Sequence, residues 1–132
     1  MATQIDLARG WMQKGESDRV TADRTVQSPG LYDTACFHTQ QAVEKYLKAV
    51  IALAGSPIPR TLDLEDIYDR CLAVEPGLVL DRGELSDLTP YAVELRYDTE
   101  FWPDQARVQR ALATVDRVRA AVLAVLPPSA HP

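Results

Sequence analysis

ACFHTQQAVEKYLKAV, residues 35–50, is the stretch whose reading decides the fold. With its flanks, from Leu31 to Ala54, it forms a helical pattern that is apolar over much of its circumference. A helix of that kind is buried on two sides, as in the centre of a bundle or at a subunit interface. The stretch also carries His38, Gln41, Lys45 and Lys48 at i, i+3, i+7 and i+10, which puts them along one edge. Small Ala42, Ala49 and Ala52 lie beside that edge. Two readings stay open. The edge is a groove in which the lysines meet an anion while His38 and Gln41 offer hydrogen bonds. Or Gln40, Gln41, Glu44, Lys45 and Lys48 form a wet side with an i, i+4 Glu44–Lys48 pair, and His38 is a satisfied, half-buried histidine.

Working outward, proline and glycine punctuate the chain at Pro29-Gly30, at residues 55–59, at Pro76-Gly77, Pro90, Pro103 and Pro127-Pro128. Between these breaks the apolar periodicity is helical throughout. The pattern predicts a first helix over 4–25, with Ile5, Ala8, Trp11 or Met12, Gly15 and Ala22 on one side. A third helix opens at Thr61 or Asp63, with Asp63 as N-cap and Leu64, Ile67, Tyr68, Cys71 and Leu72 inside. A fourth piece carries Leu85 and Leu88. Thr89-Pro90 reads as N-cap and first helical residue of a short helix through Tyr97. The last helix spans 104–126, with Val108, Ala111, Leu112, Val115, Val118, Val122 and Leu126 inward. Arg107, Arg110 and Arg117 fall together on its opposite side and read as a solvated face. The expected architecture is all-α, an up-and-down bundle of four to five helices in one domain over residues 1–132, with a flexible tail at 127–132.

Length and composition agree. The chain has 132 residues, 46% apolar and 25% charged, enough for one core without a metal or disulfide staple. Fourteen basic against nineteen acidic residues leave a net charge of -5, which argues against a general nucleic-acid coat and leaves room for a local basic stripe. Cys36 and Cys71 have no metal-ligand spacing and read as buried, reduced thiols. No signal-peptide pattern opens the sequence and no apolar run is long enough for a bilayer, so a cytoplasmic protein without membrane contact is expected. Phosphate-loop and dinucleotide glycine motifs, H-E-x-x-H and paired E-x-x-H are absent; no metal or cofactor is expected. Cys36 and His38, two residues apart on a helix, point in different directions and make no dyad. No concentrated basic recognition face supports sequence-specific DNA binding.

The same central stretch carries a family likeness. F-H-x-Q-Q-A-x-E-K-x-L-K-A resembles the signature helix of HEPN domains (higher eukaryotes and prokaryotes nucleotide-binding). PIPRTLDLEDI at 57–67, LTPYAVELRYD at 88–98 and WMQKGESDRVTAD at 11–23 continue the resemblance in order over most of the chain. The likeness implies an all-α homodimer from a prokaryotic cytoplasm, often paired with a minimal nucleotidyltransferase in a toxin–antitoxin-like system. Many members are metal-independent RNases that use an R-x(4–6)-H motif. Here the positions that could hold its arginine are Leu31, Tyr32 and Asp33 before His38, and Ala124, Val125 and Leu126 before His131. The family's usual histidine after R-T is Leu62. The likeness is therefore to a subgroup without that motif, with no catalytic residue assigned. The residues that match it are His38, Gln41, Lys45, Arg60, Tyr91, Glu94, Arg96 and Tyr97, and with Lys48 of the polar edge they are the nucleotide- or anion-binding candidates. Three functions stay open: a non-catalytic module that binds a nucleotide- or RNA-like anion or a nucleotidyltransferase, an RNase with a relocated site such as His38 with Arg96, and a purely structural dimerisation or interaction domain whose face is the broad apolar helix.

Overall fold

The computed structural model describes the backbone of residues 1–132 and all side chains except those of Leu95 and Arg96. Four long helices build it: α1 (Gln4–Thr25), α2 (Tyr32–Leu53), α3 (Leu64–Val74) and α6 (Gln105–Val125). Between α3 and α6 lie α4 (Arg82–Leu88), a 3-10 turn (Thr89–Ala92) and the single turn α5 (Glu94–Tyr97). No strand occurs among the described residues. The architecture is the helical bundle that the apolar periodicity predicts.

Local chemistry sets the ends. Thr3 and Asp6 form a reciprocal capping box at the start of α1. Asp63, Asp81 and Asp104 cap α3, α4 and α6 by accepting hydrogen bonds from first-turn backbone N–H groups. Gly55 adopts φ +72 just past α2. There its N–H donates to Ala52 and that of Ser56 to Ile51, satisfying two terminal carbonyls. Thr89 departs from its expected role. It continues the turn out of α4, its hydroxyl donating to the Leu85 carbonyl and accepting from the Leu64 N–H. The side chain thereby ties the start of α3 to the end of α4, and no side chain caps the 3-10 turn.

Helix α2 is the axis of the bundle. It packs against α1, α3, α6 and the 3-10 turn, and Thr34 alone of its 22 residues is exposed. Of the two placements that its composition allows, the structure shows the centre of the bundle; the apolar face expected to meet a partner is covered within the chain. Tyr46, Leu47 and Ile51 of α2 meet Met12 of α1, Leu64 and Ile67 of α3 and Val108 of α6 in one core. At Gly15 the two long helices approach closely: a Cβ there would lie 2.6 Å from the Tyr46 ring. Both cysteines are buried and unpaired, and burial pushes each thiol up to about 12, away from nucleophilic reactivity. Residues 127–132, expected to be loose, dock on the bundle. Ala130 is buried, Arg9 donates to the Ser129 carbonyl, and the His131 ring reaches the Leu123 and Leu126 carbonyls at the end of α6. No helix among the described residues is long and apolar enough to cross a membrane.

Candidate functional site: a neutralised seam and an open groove

The polar edge of α2 turns out to be partnered from within. Asp18 of α1, only 8% exposed, accepts from His38 Nδ1 at 2.8 Å and, through its other oxygen, from the Lys45 ammonium. Lys48 meets Glu44 at 2.6 Å and stands over the Trp11 ring, 5.3 Å from its centroid. Gln41 donates to Gln40 and to Glu44. Glu44 and Gln40 are themselves buried, so this edge is no wet side. Helix geometry explains the pattern: positions 38 and 45 face α1, and burying the Lys45 charge without a partner would cost several kcal/mol. The half-buried, satisfied His38 and the i, i+4 Glu44–Lys48 pair are both present.

Close by on α1, Glu16 organises a second cluster. It accepts from the Tyr46 hydroxyl at 2.6 Å, from Arg119 of α6 at 2.5 Å and from Arg19 at 3.2 Å. Burial pushes the Glu16 carboxyl upward, but the hydrogen bonds from Arg119, Tyr46 and Arg19 outweigh it and hold the group below its ordinary value. Asp18 and Glu16 thus bolt α1 to α2 and α6. The sequence reading singles out neither. A signal is present: Asp18 falls between Gly15 and Ala22 in the inward series Ala8, Met12, Gly15, Ala22, and a carboxylate inside such a stripe asks for a buried partner.

The other candidates lie elsewhere. Tyr91 is buried on the opposite side of α2, beside Cys36. Cys36 and His38 therefore point to different neighbours, as their spacing requires. Glu94 and Tyr97 are exposed on α5. Arg60 is exposed in the connection past the C-terminal end of α2. The Arg96 side chain lies outside the described residues. The eight candidates whose side chains are described do not lie together: His38 and Lys45 share Asp18, while Gln41 and Lys48 share Glu44. Tyr91 and Glu94 share a different feature.

That feature is a groove of about 370 Å³ between α4–α5 and α6. Ser86, Asp87, Tyr91, Glu94 and Phe101 line it from one side, and Arg107, Arg110 and Thr114 from α6. The Arg107 guanidinium sits 5.3 Å from the Phe101 ring centroid, and Tyr91 and Phe101 are tilted neighbours 6.3 Å apart. Among the described residues no carboxylate pairs with Arg107 or Arg110, whereas Arg117, farther along the same face, pairs with Glu84 of α4 at 2.6 Å. The sequence places these three arginines together but cannot show that the α4–α5 segment folds over two of them. Chemically, the groove offers two guanidinium groups without a carboxylate partner among the described residues, one of them over the Phe101 ring, and two carboxylates. No group of three or more His, Cys, Asp or Glu side chains among the described residues could hold a metal ion.

Comparison with known proteins bears on this geometry. The chain superposes on TT1696 from Thermus thermophilus with a TM-score of 0.76 at 20% identity, over 90% of this chain and 98% of that one. At that identity the likeness is one of fold. No curated protein gives a significant match. The HEPN domain model matches residues 8–125, nearly the whole bundle including seam and groove; the chain belongs to the HEPN domain family.

Proposed function

We propose that this HEPN domain binds a nucleotide- or RNA-like anion, without cutting it, in the groove between α4–α5 and α6. The observation that carries the reading is the pair Arg107 and Arg110, exposed one turn apart on the groove wall with no carboxylate partner among the described residues. Arginine forks match phosphate oxygens, and the Tyr91–Phe101 wall suits a base or sugar face. The lysines of the α2 edge are engaged by Asp18 and Glu44, which favours α6 for phosphate contact. Absence of R-x(4–6)-H from the sequence supports binding without cleavage. Titration of a short single-stranded RNA over a salt series tests the reading. Arg107→Ala and Arg110→Ala are each expected to weaken binding about tenfold and to lower the salt slope by about one. Wild-type protein that binds neither RNA nor nucleotide would remove the proposal.

A second reading has its own observation. Val93, Tyr97 and Trp102 are exposed apolar side chains on the segment that contributes Glu94 and Phe101 to the groove. They support a protein-binding surface beside it, for a second copy of the chain or for a minimal nucleotidyltransferase. Light scattering of the pure protein, alone and after replacing Tyr97 and Trp102 by serine, separates a dimer held through this surface from a monomer.

A further inference from the structure

We infer that the exposed aromatic segment beside the groove takes a basic polypeptide, one whose lysine or arginine side chains alternate with apolar ones; the inference rests on the reading of that segment as a protein-binding surface. Its backbone is a run of closed turns. The Asp98 N–H donates to the Glu94 carbonyl at 2.8 Å, that of Phe101 to the Asp98 carbonyl at 3.3 Å and that of Glu100 to the Asp98 carboxylate at 3.0 Å. A turn of this kind holds its first and last Cα atoms within about 7 Å, so Tyr97 and Trp102, which flank it, leave the surface at neighbouring points. They are 75% and 65% exposed, whereas Phe101 between them packs beside the Tyr91 ring. The Trp102 indole N–H donates to the Thr99 carbonyl at 3.1 Å. That bond satisfies the ring's one polar group and holds the ring in place, so a partner meets a fixed apolar face and loses little to ordering it.

The charge around these rings selects the partner. Residues 93–106 carry Glu94, Asp98, Glu100 and Asp104 against one arginine, Arg96. All four acidic residues are exposed, and none has an ion-pair partner among the described residues. Asp98 and Asp104 each accept a backbone N–H, which leaves their charge unneutralised. A cation placed here gains from a carboxylate and from an aromatic face together. The same segment already shows the second contact: the Arg107 guanidinium lies 5.3 Å from the Phe101 ring centroid. An acidic partner meets repulsion here, and a nucleic acid has the arginines of α6 instead. A second copy that met this surface with its own equivalent, as a two-fold dimer requires, would set the carboxylates of one protomer against those of the other. A basic polypeptide has no such cost, and its apolar side chains cover Val93, Tyr97 and Trp102.

Titration of the full chain with a short peptide of alternating lysine and leucine tests the inference, read by calorimetry and tryptophan emission, with glutamate–leucine and lysine–serine peptides of the same length beside it. The lysine–leucine peptide is expected to bind about tenfold or more tightly than either control and to shift the emission of Trp102. Tyr97→Ser with Trp102→Ser is expected to lower its affinity about tenfold or more, and Glu94→Gln with Glu100→Gln about fivefold. These four positions are exposed, so both variants keep the bundle. Asp23→Asn with Asp66→Asn removes the same charge on α1 and α3 and is expected to change nothing. A lysine–leucine affinity matched by either control peptide, or lowered as much by the α1 and α3 pair as by the near one, overturns the inference. So does a wild-type dimer, seen by light scattering, that the serine replacements split; it assigns the surface to a second copy while the protein-binding reading stands. A monomer that binds none of the peptides overturns both.

Discussion

The α1–α2 seam and the α4–α6 groove both hold charged side chains and use them in opposite ways. In the seam each lysine and arginine has a carboxylate: Asp18 serves Lys45 and also hydrogen-bonds His38, Glu44 serves Lys48, and Glu16 serves Arg19 and Arg119. In the groove Arg107 and Arg110 face solvent with none among the described residues. Charge that is buried must be matched at once, because an unpaired buried charge costs more than a small domain can spare. Charge left unmatched on a concave surface is available to a ligand. The difference teaches that a line of basic residues on a central helix, although it looks like a binding edge in projection, holds the bundle together, whereas Arg107 and Arg110 on a peripheral helix are left without a carboxylate among the described residues.

Several experiments would break or sharpen that contrast, and stability loss ranks them. Asp18→Asn should have the largest effect, about 2–4 kcal/mol by urea denaturation, since it leaves His38 and Lys45 against a neutral, buried amide. A loss under about 0.5 kcal/mol would show the seam to be decorative. Gly15→Ala comes next. Alanine favours a helix interior by about 1 kcal/mol, but the new Cβ meets a Tyr46 ring that its hydrogen bond to Glu16 holds in place. Overpacking should win, for a net loss of about 1–2 kcal/mol; a stabilised variant would show that the ring can move. The third effect is a pH dependence. The folded Glu16 carboxyl lies below its ordinary value, so its contribution is complete above the usual glutamate range and is lost as pH falls through the folded value. Glu16→Gln should therefore be less stable than wild type near neutrality and flatter in its acid limb. A parallel acid limb in the two proteins would contradict this. Arg110→Ala should come last, within about 0.5 kcal/mol of wild type, as befits an unpaired surface side chain.

How far the sequence discloses these two regions follows from what each depends on. The ends of α1, α2 and α6 are legible to within a residue or so, because aspartate and threonine caps and terminal glycine act locally. The central burial of α2 is legible because its apolar residues cover most of its circumference. Thr89 is not, since its hydroxyl serves α3, which only the tertiary fold brings near. His38 and Lys45 are legible as one line, yet their partner Asp18 lies 20 and 27 positions away on another helix. Arg107 and Arg110 are legible as a pair, but their position on a groove wall depends on the path of residues 86–101. Helical projection orders side chains around one axis and carries no information about what stands opposite.

The contrast between seam and groove can be tested in one experiment: titration of GMP or a short single-stranded RNA into Arg110→Ala and Lys45→Gln side by side. Arg110→Ala should lose affinity about tenfold with its unfolding midpoint unchanged, while Lys45→Gln should be less stable and bind as wild type does. Binding that vanishes with Lys45→Gln and survives Arg110→Ala would place the ligand on the α2 edge and contradict the account.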